Sequence, residues 1–275
     1  LCTVSPLHME RSGMELGFEL AEAGIPLLLY PMPILGATSP VTPAGAAVVG
    51  AAEILAAVTA IQLACPGARL VHAGGPTALY MRTGSYFANV PEALLLRALQ
   101  SQMARRWGLP AGLGWGGTKA KRPDAQSAYE NTLGLVLGLA AGAGLVFGAG
   151  LLDSVQQMSL EELVIADETF GMITHLLRGV SVDPETLAVD LITKLGFRGD
   201  YLFERHTRAH VRELWRARLG EDGTYESWTA AGCPRLEDKA RAVAAGILAS
   251  PPPDFPEALG REFDDIIAAV ESGRF

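Results

Sequence analysis

Five short apolar runs, at 3–5, 26–30, 70–73, 111–115 and 145–147, each lead into a turn rich in glycine, proline or threonine. Stretches of helical periodicity separate them, at 9–23, 44–64, 91–107 and 124–141, and a fifth follows at 160–177. Short buried strands alternating with amphipathic helices are the pattern of βα units joined in a parallel sheet. The helix at 9–23 turns Met14, Phe18 and Ala21 inward and stops at Gly24. The helix at 91–107 opens on Asn89-Val90-Pro91-Glu92, with a capping Asn, an early Pro and an acid in the first turn. The helix at 124–141 opens on Pro123-Asp124 and places Ala125, Ala128, Leu133 and Val136 along an apolar face.

A closed barrel needs eight such units. The five counted here fit an open sheet or, preferably, the C-terminal part of a TIM (β/α)8 barrel whose first three units lie N-terminal to Leu1. The sequence runs straight into Leu1-Cys2-Thr3 and reads as one entered mid-domain. An unpaired sheet edge predicts poor solubility or a homo-oligomer that completes the sheet. The partial α/β barrel is assigned to 1–180, and a charged, helical C-terminal extension packed on it to 181–275. In that extension Pro251-Pro252-Pro253 breaks the chain before a last amphipathic helix, in which Leu259, Phe263, Ile266, Ile267 and Val270 share one face expected to pack on the body.

Charge narrows the function classes. A net charge of −8, with dispersed basic residues, argues against a nucleic-acid partner. The uncharged stretch 133–152 approaches the length of a bilayer span, but its halves read as the end of a helix and a short strand, so no membrane is expected. Cys2, Cys65 and Cys233 stand far apart without metal or disulfide spacing, which suits a reduced cytoplasm.

Candidate chemistry follows the strands, because catalysis in α/β barrels is built from the loops at strand C-termini. After the second run comes a rigid, uncharged loop, Pro31 to Pro43, whose hydroxyls, Thr38 among them, can face a carboxylate at a helix start. After the third come Gly74-Gly75-Pro76-Thr77 and then Tyr80, Met81 and Tyr86. After the fourth come Gly116-Gly117-Thr118-Lys119 and Pro123-Asp124-Ala125-Gln126, with Tyr129 and Glu130 one turn on.

The order of these pieces carries a resemblance. Pro31-Met32-Pro33, Gly36-Ala37-Thr38-Ser39-Pro40-Val41-Thr42, Glu53 with Leu55-Ala56, Pro91-Glu92, Gly108-Leu109-Pro110, Pro123-Asp124-Ala125-Gln126 with Glu130, and Ala149 to Asp153 together resemble the trimethylamine methyltransferase family over nearly the whole chain. The resemblance implies a TIM barrel longer than this sequence and transfer of a methyl group from a tertiary or quaternary amine, such as trimethylamine or glycine betaine. The acceptor would be the cob(I)alamin of a separate corrinoid protein. The chain carries no cobalamin-binding Asp-x-His-x-x-Gly pattern, so no cofactor is expected on the chain itself. Founding members contain pyrrolysine; with standard residues only, this sequence is similar to the glycine betaine methyltransferase-like branch that lacks it. Lys119 stands where the family often has an acid, which affects the choice of substrate.

Cob(I)alamin is itself a strong nucleophile, so positioning of the amine is what such a protein must supply. Aromatic faces and a carboxylate hold quaternary ammonium. Tyr30, Tyr80, Tyr86, Trp115 and Glu130 are the candidates, with Lys119 or Arg82 for a substrate carboxylate and Thr38, Asp124 and Gln126 in the surrounding loops. His72 at a strand end, and His206 and His210 at i, i+4 spacing without a zincin acid, read as packed or solvated side chains. Glu161, Glu162, Asp167 and Glu168 read as exposed helix surface. A catalytically inert scaffold is the alternative to an enzyme, and the missing metal-ligand set argues against a metal-dependent hydrolase.

Overall fold

The computed structural model describes residues 1–115, 117–250 and 256–273. The element order is α1 (Arg11–Glu22), β1 (Leu27–Leu29), β2 (Ile34–Leu35), α2 (Pro43–Ala64), β3 (Leu70–His72), β4 (Thr77–Tyr80), β5 (Ser85–Phe87), α3 (Pro91–Arg106), β6 (Gly112–Gly114), α4 (Ala125–Ala140), β7 (Leu145–Phe147), β8 (Leu151–Leu152), β9 (Gln157–Met158) and α5 (Leu160–Leu176). Six further helices follow: α6 (Pro184–Leu187), α7 (Val189–Leu195), α8 (Arg205–His210), α9 (Tyr225–Ala230), α10 (Leu236–Ala249) and α11 (Glu257–Glu271). The chain is thus a mixed α/β structure of helices and short strands.

The strands lie beside one another in chain order. β1 pairs in parallel with β3, Leu27 opposite Leu70 and Leu29 opposite His72. A parallel bridge joins His72 to Ala111, and β6 pairs in parallel with β7. On the other side a parallel bridge joins Cys2 to Tyr30. The run expected at 3–5 forms only an antiparallel bridge from Val4 to His8, next to the Cys2 bridge, whereas the other four expected strands are present. Helices α1 to α4 connect successive strand positions and all five expected helices are found. The sheet of β2, β4 and β5 and the β8–β9 hairpin were not expected, because such short pieces carry no readable alternation.

Alternate residues of each strand face the helices. Leu27, Leu29 and Leu70 pack there against Ala21, Ile54, Ala57 and Ile61 in the main core. Leu28, Val71 and Phe147 face the other way and are only half buried, and Leu145 is exposed. α2 is long and apolar enough to cross a membrane by length and composition; here it buries Ala46, Ile54, Ala57 and Ile61, together with Glu53. The stretch at 133–152 divides into the end of α4, a turn, β7 and β8.

Two faces differ from expectation. α4 buries Ser127, Glu130, Asn131, Gly134, Leu135 and Gly138, while Leu133 is exposed, as are Ala125 and Ala128. The polar members are buried because each has partners, and Gly138 makes room for Leu113. In α5, Glu162 is buried rather than exposed, accepting from Ser127 Oγ at 3.0 Å and Asn131 Nδ2 at 2.8 Å. Its neighbours anchor the later chain: Arg218 bonds Asp167 at 2.6 Å and Arg241 bonds Glu161 at 3.0 Å.

α10 packs on α5. Along the apolar stripe of α11, Leu259, Phe263, Ile266, Ile267 and Val270 are 40–59% exposed, so the face expected to pack on the body is only partly covered. The Pro251–Pro253 break lies outside the described residues.

Candidate functional site

Parallel strands of one sheet point the same way, so the segments that follow them meet at one end. Tyr30 follows β1, Gly74 and Gly75 follow β3, Trp115 follows β6, and Phe147 ends β7. Of these, Tyr30, Gly75, Trp115 and Phe147, with Tyr86 of β5 and Val155 of the β8–β9 turn, line a cavity of about 180 Å³, together with Met32, Thr77, Ala88, Arg97 and Leu151. The Tyr30 and Phe147 rings meet edge to face, centroids 5.4 Å apart. A Cβ added at Gly75 or at Gly114 would collide with the Tyr30 hydroxyl, so the phenol occupies its place because both neighbours are glycine. Burial raises the Tyr30 pKa, opposed by the Arg97 charge, with Cys2 adding slightly to the rise.

Of the residues singled out from the sequence, the structure gathers Tyr30, Tyr86 and Trp115 on this cavity. Trp115 Nε1 donates to Asn131 O at 3.0 Å, which fixes its ring. Tyr86 Oη donates to Ser154 O, and Ser154 Oγ returns a bond to Tyr86 O at 3.1 Å. The turn these bonds tie down is unusual: Asp153, Ser154 and Val155 all have positive φ, at 47°, 53° and 72°.

The remaining expected residues serve the loops. Thr38 accepts from Ile34 N at 2.8 Å inside its own turn. Tyr80 is exposed on the β4–β5 hairpin against Phe87, and Arg82 is exposed beyond it. Lys119 holds its ammonium over the Phe87 ring, 5.1 Å from the centroid, and donates to Tyr86 O at 3.4 Å. Asp124 caps α4 in a reciprocal pair with Ser127. Glu130 is buried and accepts from Thr118 Oγ1 at 2.7 Å, Lys119 N at 2.8 Å and Gln126 Nε2 at 2.8 Å, so Glu130 and Gln126 together fasten the loop after β6. Gly116 of that loop lies outside the described residues.

Sequence reasoning missed Arg97, Phe147 and a polar chain behind them. Arg97, only 5% exposed, donates from Nη1 to Asn89 Oδ1 at 2.9 Å and from Nη2 to Ala88 O at 2.8 Å. Asn89 Nδ2 donates to Asn131 Oδ1 at 2.9 Å, and Asn131 passes on to Glu162. Burial lowers the Arg97 pKa, with Tyr30 opposing. Burial also raises that of Glu162, against the bonds from Ser127 and Asn131. The available signal was periodicity: Arg97 falls on the same helical face as Ala93, Leu94, Ser101 and Ala104, where a solvated charge does not belong.

The histidines divide. His72 is buried edge-on against Trp107, and burial brings its pKa down to about 4. His206 and His210 stack at 4.4 Å, and Glu185 of α6 supplies the acid their spacing lacked, the three ligand atoms lying within 4.8 Å of one another. His206 and His210 line a larger groove of about 970 Å³ in the C-terminal segment. That groove contains none of the strand-end residues, so the aromatic cavity is the stronger candidate for a small ligand.

The comparisons with known proteins identify a family. The family model described as trimethylamine methyltransferase matches residues 1–272. A trimethylamine methyltransferase of Desulfitobacterium hafniense is 33% identical over 272 residues, which cover 98% of this chain and 55% of that protein. One from Methanosarcina barkeri is 32% identical over 248 residues, 90% of this chain and 50% of the relative. A glycine betaine methyltransferase of Desulfitobacterium hafniense strain Y51 is 32% identical over 276 residues, 99% of this chain and 56% of the relative. The chain spans about half the length of the curated relatives it matches.

Proposed function

The chain belongs to the trimethylamine methyltransferase family, and from that premise we propose that it forms the methyl-donor site of an enzyme that transfers a methyl group from a tertiary or quaternary amine to the cob(I)alamin of a corrinoid protein. The observation that carries this reading is the aromatic cavity at the C-terminal ends of parallel strands laid down in chain order. Closure of the arc into an eight-stranded barrel is part of the same proposal, supported by the half-buried inner face of the sheet, Leu28, Val71 and Phe147, which further strands would cover.

The cob(I)alamin, brought by its own protein, supplies the nucleophile. The work of this chain is to bind and aim the donor. A methylated ammonium has no N–H to donate when quaternary, and π faces attract it electrostatically, so Tyr30, Tyr86, Trp115 and Phe147 suit its cationic end. As the N–CH3 bond breaks, the electron pair stays on nitrogen: a quaternary donor leaves as a neutral amine with no acid from the protein, and a tertiary donor does so when it reacts as its protonated ammonium. The walls also exclude water from the methyl carbon. Met32, 43% exposed, leaves the rim apolar where an acceptor would approach.

The test supplies the protein with cob(I)alamin and glycine betaine or trimethylamine and follows loss of the cob(I)alamin absorbance, alongside calorimetric binding of each amine. Donor binding and methyl transfer that both drop at least tenfold in Trp115→Ala support the reading. If no amine binds and none is demethylated, the enzyme reading fails and the inert scaffold replaces it.

A further inference from the structure

A guanidinium keeps its proton in any protein environment, and a buried charge with no opposite partner costs several kcal/mol. Arg97 is such a charge. Its two hydrogen-bonded nitrogens reach only neutral oxygens, those of Asn89 and Ala88. Nε has no hydrogen-bond partner, and no carboxylate forms an ion pair with Arg97 among the described residues. The nearest acid in its network is Glu162, two amide side chains away through Asn89 and Asn131. The relay orients the fork and offsets part of the cost without neutralising it. The side chain also lines the aromatic cavity of about 180 Å³, which brings this uncompensated charge to its wall.

We propose that Arg97 is the anion-binding residue of this cavity: it takes the carboxylate of a methyl donor whose ammonium lies against the aromatic walls, so the site selects zwitterionic amines over purely cationic ones. This inference rests on the proposed donor site and adds its specificity. Two ends of opposite character on one small cavity match a molecule with opposite charges at its ends, and trimethylamine carries nothing for Arg97 to bind. Lys119, expected from the sequence to meet a carboxylate, lies over Phe87 and is not among the residues lining the cavity.

The experiment measures calorimetric binding of glycine betaine, its methyl ester, choline and tetramethylammonium to the native chain and to Arg97→Lys and Arg97→Met. The native chain is expected to bind glycine betaine at least tenfold more tightly than its methyl ester or choline. Arg97→Lys should keep part of that preference, and Arg97→Met should bind all four alike while remaining folded by near-ultraviolet circular dichroism. Equal native binding of glycine betaine, its ester and choline overturns the role of Arg97 and leaves the aromatic donor site standing. A preference that survives in Arg97→Met overturns it as well. Binding of none of the four overturns the donor site and the role of Arg97 together.

Discussion

Three buried carboxylates and one buried guanidinium stand in contrast. Glu53 accepts from Thr3 Oγ1 at 2.5 Å, Ser5 Oγ at 3.0 Å and Leu7 N at 2.9 Å, and so fastens the first segment to α2. Glu130 and Glu162 are served in the same manner by donors from neighbouring loops and helices. Each acid is satisfied from within the chain and does structural work. Arg97, buried just as deeply, finds only neutral acceptors for two of its three nitrogens and lies on a cavity. The difference separates charges that hold the fold from one that is left for a ligand.

Substitutions should expose that difference, the largest effect first. Glu53→Ala strands three donors around a vacated acid and is expected to cost about 4 kcal/mol, read from the urea midpoint; a loss below about 1 kcal/mol would remove Glu53 from the structural group. His72 offers the intermediate case, a buried base that can shed its proton. Its folded pKa of about 4 lies below the ordinary 6.5, so its contribution is complete above pH 6.5 and is lost as pH falls toward 4. That loss should reach about 3 kcal/mol and vanish in His72→Phe, compared by unfolding at pH 7 and pH 4.

Arg97→Met should have the opposite sign and stabilise the fold by about 1–2 kcal/mol, because an apolar side chain replaces an uncompensated charge. A destabilisation of that size would show that the asparagine relay alone satisfies Arg97. The smallest effect belongs to an exposed acid with a similar backbone role: Asp124→Ala removes the cap of α4 and should lower stability by about 1 kcal/mol in thermal unfolding.

The same contrast explains what the sequence made legible. Four of the five expected strands and all five helices are present, because burial against helices imposes period and length. Tyr30, Tyr86 and Trp115 were reachable from the sequence because they follow strands or sit in the loops between them. Arg97 was not, since a lone charge in Leu94-Leu95-Leu96-Arg97-Ala98 is read as surface until the helix phase is known. For Glu130 the place beside a site-like loop was visible, but the three donors around it are fixed only by the folded loop. Glu162 changed from surface to interior because Ser127 and Asn131 of α4 reach across to it.

The turn of Asp153, Ser154 and Val155 holds its shape against its own backbone preference. Left-handed backbone costs a residue other than glycine roughly 1–2 kcal/mol, and here three such residues follow one another, the last of them, Val155, on the wall of the cavity. The conformation is retained by bonds to other loops: Asp153 N to Ala120 O at 2.9 Å, Ser154 N to Thr118 O at 2.7 Å, and the reciprocal pair with Tyr86. Releasing those bonds frees a segment whose own torsional preference lies elsewhere. The shape of the cavity wall at Val155 is therefore held by the ties at Ala120, Thr118 and Tyr86 and not by the torsional preference of the segment itself.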